Sequence, residues 1–296
     1  DDDHRKDAFE SLAQCLEANP KASIAYGDIV YTTKANDTFP SEHVTRQIHY
    51  PEFHPGLAFA CCFAGCTQFW RRDDLIRVGC FDASYKAAGD YEILLRAVQH
   101  GLSAVHIPEE LSLHYFNENG ITFGPETKQL SLDEAQRARQ DYVNRLDIGA
   151  LYNEPNASSQ RRADLWCDLG DFFYQYKAPW EMENPKLGIE NLNFVVHCVK
   201  KALEENASHA TAASNLIWLD RHFGQSNEAS AYLLALGNTW NSHSLEELSR
   251  RCVEWEKVII TQQPSDYTLE SQTAAVTFSS QGDCQVPATG QKLSCE

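Results

Sequence analysis

Residues 81–96 read FDASYKAAGDYEILLR and carry the strongest local signal in the chain. This stretch places one acidic side chain, Asp90, directly after Gly89, at the start of an apolar pattern with a helical period. Two interpretations of Asp90 are open from this stretch alone: a helix N-cap, where aspartate is favoured, or a carboxylate that takes part in chemistry. The segments on either side favour the second interpretation.

The flanking segments add a regular order of helices and strands. On the N-terminal side, WRR at residues 70–72 precedes a helix predicted over residues 73–78, and GCFD follows at residues 79–82. On the C-terminal side, SAVHIP at residues 103–108 predicts a strand. The predicted order is therefore a short helix, then a helix that starts with an acidic residue, then a strand.

An acidic triplet, DDD at residues 1–3, comes before the first predicted elements. Apolar residues recur with a helical period over residues 8–16, and SIAYGDIVY at residues 23–31 alternates as a strand does. Residues 32–55 are polar and predict a loop-rich segment, whereas residues 57–63 form the most apolar run, which has the length of a strand. The order is therefore acidic motif, helix, strand and loop.

This order resembles the second half of a family 2 glycosyltransferase of the GT-A fold, over residues 1 to about 123. In that family an acidic metal-binding motif precedes the same helix and strand. The resemblance implies an α/β fold, a truncated GT-A-like (nucleotide-diphospho-sugar transferase) domain at residues 1–125 that lacks the nucleotide-binding half. An all-α helical-hairpin domain is expected after it.

The activity that the resemblance implies is transfer of a sugar from a nucleotide-diphosphate donor to an acceptor hydroxyl. The reaction would be a metal-assisted, inverting displacement, and a chain without the nucleotide-binding half is expected to bind the donor weakly. Asp90 is then the catalytic base that removes the proton of the acceptor hydroxyl.

The resemblance also places the metal. It puts Asp1 and Asp2 on the acidic pair, with Asp2 as the direct ligand and Asp3 outside the pair. A shift of one residue stays open, because Lys6 occupies a place where proline is common. A solvated acidic terminus is the alternative to any metal role. The cofactor implied is Mn²⁺ or Mg²⁺, because a hard cation held by carboxylates stabilises the charge on the leaving diphosphate.

Further site residues follow from the same resemblance. His114 is a candidate metal ligand, since some GT-A enzymes complete the coordination with a histidine and neutral imidazole is suitable, whereas His106 is expected to be structural. Contacts with substrate are expected from Trp70, Arg71, Arg72, Gly65 and Arg96. The alternatives are a core position for Trp70, a solvated surface position for Arg71 and Arg72, and pairing of Arg96 with a carboxylate.

Composition excludes some classes of function. The chain has 296 residues, enough for about two domains, and its net charge of -17 argues against nucleic acid as a partner. The ten cysteines are scattered, which predicts reduced thiols in a cytoplasmic protein. A protein bound at the cytoplasmic surface of a membrane fits the same prediction. Cys61, Cys62 and Cys66 are not expected to bind metal, because no second Cys/His pair follows at zinc-finger spacing.

The C-terminal half has a helical pattern. Residues 126–160 predict a helix and a linker, residues 161–262 a region that resembles degenerate tetratricopeptide units, and residues 263–296 a disordered tail. A generic helical domain is the alternative to the repeats. The expected partners are a nucleotide-diphosphate sugar, a glycan, lipid or protein acceptor, and a protein bound by the helices. Two other functions stay open: a noncatalytic protein-interaction module built on the helical repeats, and a divalent-metal phosphohydrolase that uses the acidic terminus.

Overall fold

The computed structural model describes residues 2–176, 185–223, 228–236, 239–241 and 244–250. The chain divides into two compact units, residues 1–155 and residues 156–296. Asp1 and the tail predicted over residues 263–296 lie outside the described residues.

A five-stranded mixed sheet forms the centre of the first unit. The strand order is β1-β5-β2-β3, and β4 also pairs with β2. The strands β2 and β5 run parallel, and the other pairs are antiparallel. The class is therefore α/β, as the sequence predicts, whereas the GT-A identity stays a prediction. The strands are β1 (Asp3–His4), β2 (Ala22–Thr32), β3 (Val44–Ile48), β4 (Phe69–Trp70) and β5 (Ser103–Tyr115).

The helix α1 (Ala8–Ala18) covers the start of β2 in the way that its apolar period predicts. Its buried side chains pack with residues of β2 and β5 in one apolar cluster. Gly27 in β2 allows a close approach, because a Cβ atom there would lie 2.4 Å from Leu111 Cδ1. The helix and strand predicted around residues 8–16 and 23–31 are therefore confirmed.

Three short segments differ from the expectation. The apolar run at residues 57–63 contains a helix, α2 (Leu57–Ala60), whose buried backbone is bonded internally, with Cys61 N donating to Leu57 O over 2.9 Å. The segment expected to be loop contains β3, which pairs with the far end of β2. The strand predicted to end near Pro108 continues as β5, because β2 is long enough to pair with it beyond a register shift between Gly27 and Asp28.

The remaining helices of the first unit are α3 (Arg72–Arg77), α4 (Gly89–Gln99), α5 (Lys128–Asn144) and α6 (Ile148–Leu151), and a 3₁₀ turn spans Gly65–Thr67. The second unit contains α7 (Ser159–Gln175), α8 (Pro185–Glu205), α9 (Ala210–Phe223) and α10 (Glu228–Ala235). Neighbouring helices in this series pack on one another. Their membership of a tetratricopeptide family stays a prediction. Among the described helices, none combines the length and the apolar character needed to cross a membrane.

Candidate functional site

The start of α4 is fixed by a carboxylate from another helix. The residue at the cap position of α4 is Ala88, and Asp90 lies inside the first turn, so the N-cap interpretation of Asp90 is wrong. The carboxylate of Glu134, on α5, accepts hydrogen bonds of 2.8 to 3.1 Å from the backbone N–H groups of Lys86, Ala87 and Ala88. Glu134 therefore caps α4 from outside and leaves Asp90 available for another role.

The charge on Glu134 is maintained by these bonds. Burial of Glu134 acts to raise its pKa, but the backbone N–H groups that surround the carboxylate lower it, and the net direction is down. A buried anion at the start of α4 also faces the positive end of the helix dipole. The loop before α4 is thus held by charge-assisted hydrogen bonds.

Asp90 is exposed, and one of its two carboxylate oxygens has only a weak contact. Its Oδ1 accepts a hydrogen bond of 2.8 Å from Tyr91 N, whereas the contact of its Oδ2 is the thiol of Cys62 at 3.7 Å. Burial raises the pKa of Cys62 well above its usual value, and the negative charge of Asp90 raises it further. Cys62 therefore stays a neutral thiol that points its hydrogen toward Asp90.

A tight turn carries the chain from Cys62 to Cys66. Ala64 and Gly65 both have positive φ, 75° and 42°. This left-handed conformation suits glycine and costs the alanine energy, on the order of 1 kcal/mol. Thr67 fixes the end of the turn, because its hydroxyl lies 3.0 Å from Gly27 O and 2.6 Å from Ala64 O.

The side chains of Asp2, Cys66 and His114 come together beyond this turn. Each offers one metal-ligating atom, and these atoms all lie within 4.8 Å of one another. His114 Nε2 is 3.8 Å from Asp2 Oδ1, which also accepts a hydrogen bond of 2.8 Å from Tyr115 N. Pairing of β1 with β5 brings the acidic terminus next to His114. Asp3 points elsewhere, since its Oδ2 accepts from Phe39 N over 2.8 Å.

The imidazole of His114 lacks hydrogen-bond partners in the described part of the chain. Its Nδ1 is buried and unpaired, and the nearest partner of its Nε2 is the carboxylate at 3.8 Å. The ring stacks on Tyr31 with 5.0 Å between the centroids and 13° between the planes. An unpaired buried nitrogen costs free energy, about 1–3 kcal/mol, unless a ligand or water satisfies it.

Burial raises the pKa of two groups near the cluster. It raises the pKa of Tyr31 to about 12, and the negative charge of Asp2 contributes to this shift. It also raises the pKa of Cys66 to about 11, against the hydrogen bond with Ser112. Asp2 and Asp90 are connected through one turn, residues 62–66, because Cys66 lies in the cluster with Asp2 and Cys62 contacts Asp90.

The residues expected to contact substrate lie in different environments. Arg71 is a structural residue at the end of α1, because its guanidinium donates to Ala22 O over 2.8 Å and to Leu16 O over 2.5 Å. Arg72 is exposed and has a carboxylate contact only at 3.9 Å. Trp70 is half-buried, and its indole N–H donates to Gln68 over 3.2 Å.

Arg96 pairs with a carboxylate, which was the alternative to a contact with substrate. Its Nη2 lies 2.6 Å from Glu92 Oε2, and its Nη1 donates to Val78 O over 2.7 Å. Tyr142 donates to the same carboxylate over 2.7 Å. This buried network joins α4 to α5, so Arg96 supports the helix that carries Asp90.

His106 is structural, as the sequence predicts. Its ring lies 2.7 Å from Asp28 Oδ1, in a buried position, and His49 lies 2.9 Å from the other oxygen. Burial acts to raise the pKa of Asp28, but the hydrogen bonds from the two histidines and Tyr50 N lower it. These contacts join β2 through Asp28 to β5 through His106 and to the segment directly after β3 through His49 and Tyr50.

The sequence pattern gave no signal for the positions of Cys66, Cys62 and Glu134, because spacing relates only ligands that are close in sequence. That Cys61, Cys62 and Cys66 bind no metal stays a prediction. Comparison of the chain with known proteins gave no match to a family model, to a curated protein or to a solved structure.

Proposed function

We propose that this chain carries the acceptor-side and metal-side residues of a glycosyltransferase that uses a nucleotide-diphosphate sugar. The observation that supports the proposal most is the arrangement around residues 62–66. That turn contacts the exposed carboxylate of Asp90 at one end and belongs to the Asp2 and His114 cluster at the other. A sugar-transfer reaction needs these two functions, a base and an anion-stabilising group, side by side.

Asp90 is suited to act as the general base of this reaction. A base must reach the acceptor hydroxyl with an oxygen that is not already occupied. Asp90 is exposed, and its Oδ2 has only a weak thiol contact at 3.7 Å among the described residues. Removal of the hydroxyl proton by this oxygen would accompany attack of the acceptor oxygen on the anomeric carbon, while the bond from that carbon to the diphosphate breaks.

Asp2 and His114 are the residues that would hold the divalent cation. The fit is supported by the 3.8 Å between His114 Nε2 and Asp2 Oδ1, and by the absence of a hydrogen-bond partner for Nε2 among the described residues. Two atoms that each bind one ion at about 2.1 Å lie at most about 4.2 Å apart. When bound, Mn²⁺ or Mg²⁺ would neutralise the negative charge that accumulates on the leaving diphosphate.

The direct test is an activity measurement on the purified protein. Nucleotide-diphosphate sugars that differ in base and sugar are each incubated with the protein and Mn²⁺ or Mg²⁺, and release of the nucleoside diphosphate is measured. The proposal predicts release with one donor class, abolished by a chelator. Absence of release with every donor, together with no metal-dependent nucleotide binding, would reject the function.

A further inference from the structure

Cys66 adds a sulfur ligand to the two residues considered above. The cysteine lies on the 3₁₀ turn Gly65–Thr67, and its backbone oxygen is 3.1 Å from His4 Nε2. His4 belongs to β1, which also fixes the neighbouring Asp2 beside β5. The positions of the thiol and of the carboxylate are therefore set by the same strand.

The side-chain environment of Cys66 is that of a supported ligand. Its Sγ lies 2.9 Å from the hydroxyl oxygen of Ser112, a residue that is fully buried in β5. A hydroxyl in this place can donate to a thiolate and fix its direction, as the groups behind metal ligands usually do. Ser112 lies two positions before His114 on the strand, so both groups face the cluster from β5.

We propose that Asp2, Cys66 and His114 form a metal site that takes Zn²⁺ or Co²⁺ in preference to Mg²⁺ or Mn²⁺. One carboxylate oxygen, one sulfur and one imidazole nitrogen lie within 4.8 Å of one another, and neither nitrogen of His114 has a hydrogen-bond partner among the described residues. In tetrahedral zinc sites with bonds of about 2.0–2.3 Å, the ligand atoms lie roughly 3.3–3.8 Å apart. The carboxylate and the imidazole, 3.8 Å apart, lie at the upper end of this range, and the thiol, within 4.8 Å of both, needs to move by at most about 1 Å.

The ligand set decides the preference for the metal. Thiolate and imidazole favour zinc and the late transition metals, whereas Mg²⁺ requires oxygen ligands and keeps its waters. Three protein ligands leave a fourth position open, which is typical of zinc sites that also bind a substrate or water. On binding, the Sγ–H bond of Cys66 breaks as the bond from sulfur to metal forms, and the proton goes to the buffer.

This inference refines the metal chemistry of the site in the proposed function, but metal binding itself does not require sugar transfer. A consequence for the proposed reaction is that Zn²⁺ would compete with Mn²⁺ or Mg²⁺ for Asp2 and His114. Zinc is then expected to inhibit the reaction when it occupies the site with Cys66 as a third ligand.

The test is a Co²⁺ titration of the reduced protein without nucleotide, followed by the sulfur-to-cobalt charge-transfer absorption in the near ultraviolet. The wild type and Cys80→Ser, a control at an exposed cysteine outside the cluster, should give the band. Cys66→Ser should lose it and bind Co²⁺ at least about 100-fold more weakly, because loss of a group that only supports a metal ligand already costs about 10–100-fold. Zn²⁺ should displace the Co²⁺, and a large excess of Mg²⁺ should not.

Two results would overturn the inference: no such band in the wild type, or an equal band in Cys66→Ser. His114→Gln keeps the thiol and provides an independent variant if Cys66→Ser does not fold, as judged by circular dichroism; unchanged Co²⁺ affinity in it would also overturn the site. Absence of the band while metal-dependent nucleotide release persists would reject this inference alone. The band without any sugar transfer would reject the proposed function alone.

Discussion

The thiol of Cys62 lies 3.7 Å from Oδ2 of Asp90, on the same turn whose other end contributes Cys66 to the cluster with Asp2 and His114. This contact connects the exposed carboxylate at the start of α4 to the acidic end of β1. Asp90 on α4 and Asp2 beside β1, which are far apart in sequence, thereby belong to one candidate site.

Replacement of Asp2 tests the metal side. In the full-length protein, Asp2→Asn should weaken Mn²⁺- or Mg²⁺-dependent nucleotide binding, because it removes an anionic oxygen from a hard cation. Calorimetry with the nucleoside diphosphate, at several metal concentrations, measures the change. Asp73→Asn, at a fully exposed carboxylate on α3, is the control and should bind as the wild type does. Unchanged affinity and metal dependence in Asp2→Asn would return Asp1 or Asp3 to consideration.

Replacement of Glu134 tests the external cap of α4. Glu134→Gln keeps the shape but removes the charge that three backbone N–H groups stabilise, so we expect a loss of about 1–3 kcal/mol in the free energy of unfolding. Since the pKa of Glu134 is lowered in the folded protein, its contribution is present above the unfolded pKa and is lost as the pH falls through the folded pKa. Hydrogen exchange of the amides at residues 86–90 should accelerate at neutral pH in the variant. Protection equal to that of the wild type would contradict the cap.

Replacement of Arg96 tests whether its role is structural. Arg96→Met leaves the buried Glu92 carboxylate without its cation, and we expect a cost of about 3–5 kcal/mol in the free energy of unfolding, measured by urea denaturation. The double variant with Glu92→Gln should lose less. Arg77→Met is the matched control, because its ion pair with Asp74 is exposed and should cost at most about 1 kcal/mol. Equal effects at the two arginines would show that the network contributes little.

Asp171 in α7 provides a pH test of the second unit. Burial raises its pKa to about 8, and the charge of Asp168 contributes. The folded state therefore keeps a proton that the unfolded state loses near pH 4, and stability should fall as the pH rises from about 4 to about 8. Asp171→Asn should remove this slope and raise stability at pH 8 by an amount on the order of 1 kcal/mol or more. Thermal unfolding at several pH values measures it, and parallel profiles of the two proteins would contradict the raised pKa.

Local patterns were sufficient for the elements that surround the site. The period over residues 8–16 gives α1, the alternation over residues 23–31 gives most of β2, and the apolar pattern after Gly89 gives α4. In α1 the pattern residues Ala8, Leu12 and Leu16 are buried, whereas Phe9 is exposed, and β2 is buried along nearly its whole length.

The parts that could not be predicted depend on contacts between distant residues. Cys66 meets Asp2 and His114 only because β1 pairs with β5 and because the turn at Ala64 has positive φ. Glu134 reaches the start of α4 from a helix that the sequence assigns to a separate segment. Neither the spacing of cysteines nor the amphipathic pattern of α5 contains this information, because strand register and helix docking are set by the packed core.

Single-turnover sugar transfer by Asp90→Asn, with thermal stability measured on the same preparation, tests whether Asp90 is the base. The amide keeps the shape of the carboxylate but cannot take the proton of the acceptor hydroxyl, so we expect turnover to fall by about 10²–10⁴-fold while donor binding and stability stay near those of the wild type. Asp73→Asn, in the first turn of α3, is the matched control and should retain full turnover. A folded Asp90→Asn protein with near-wild-type turnover would contradict the assignment of Asp90 as the base.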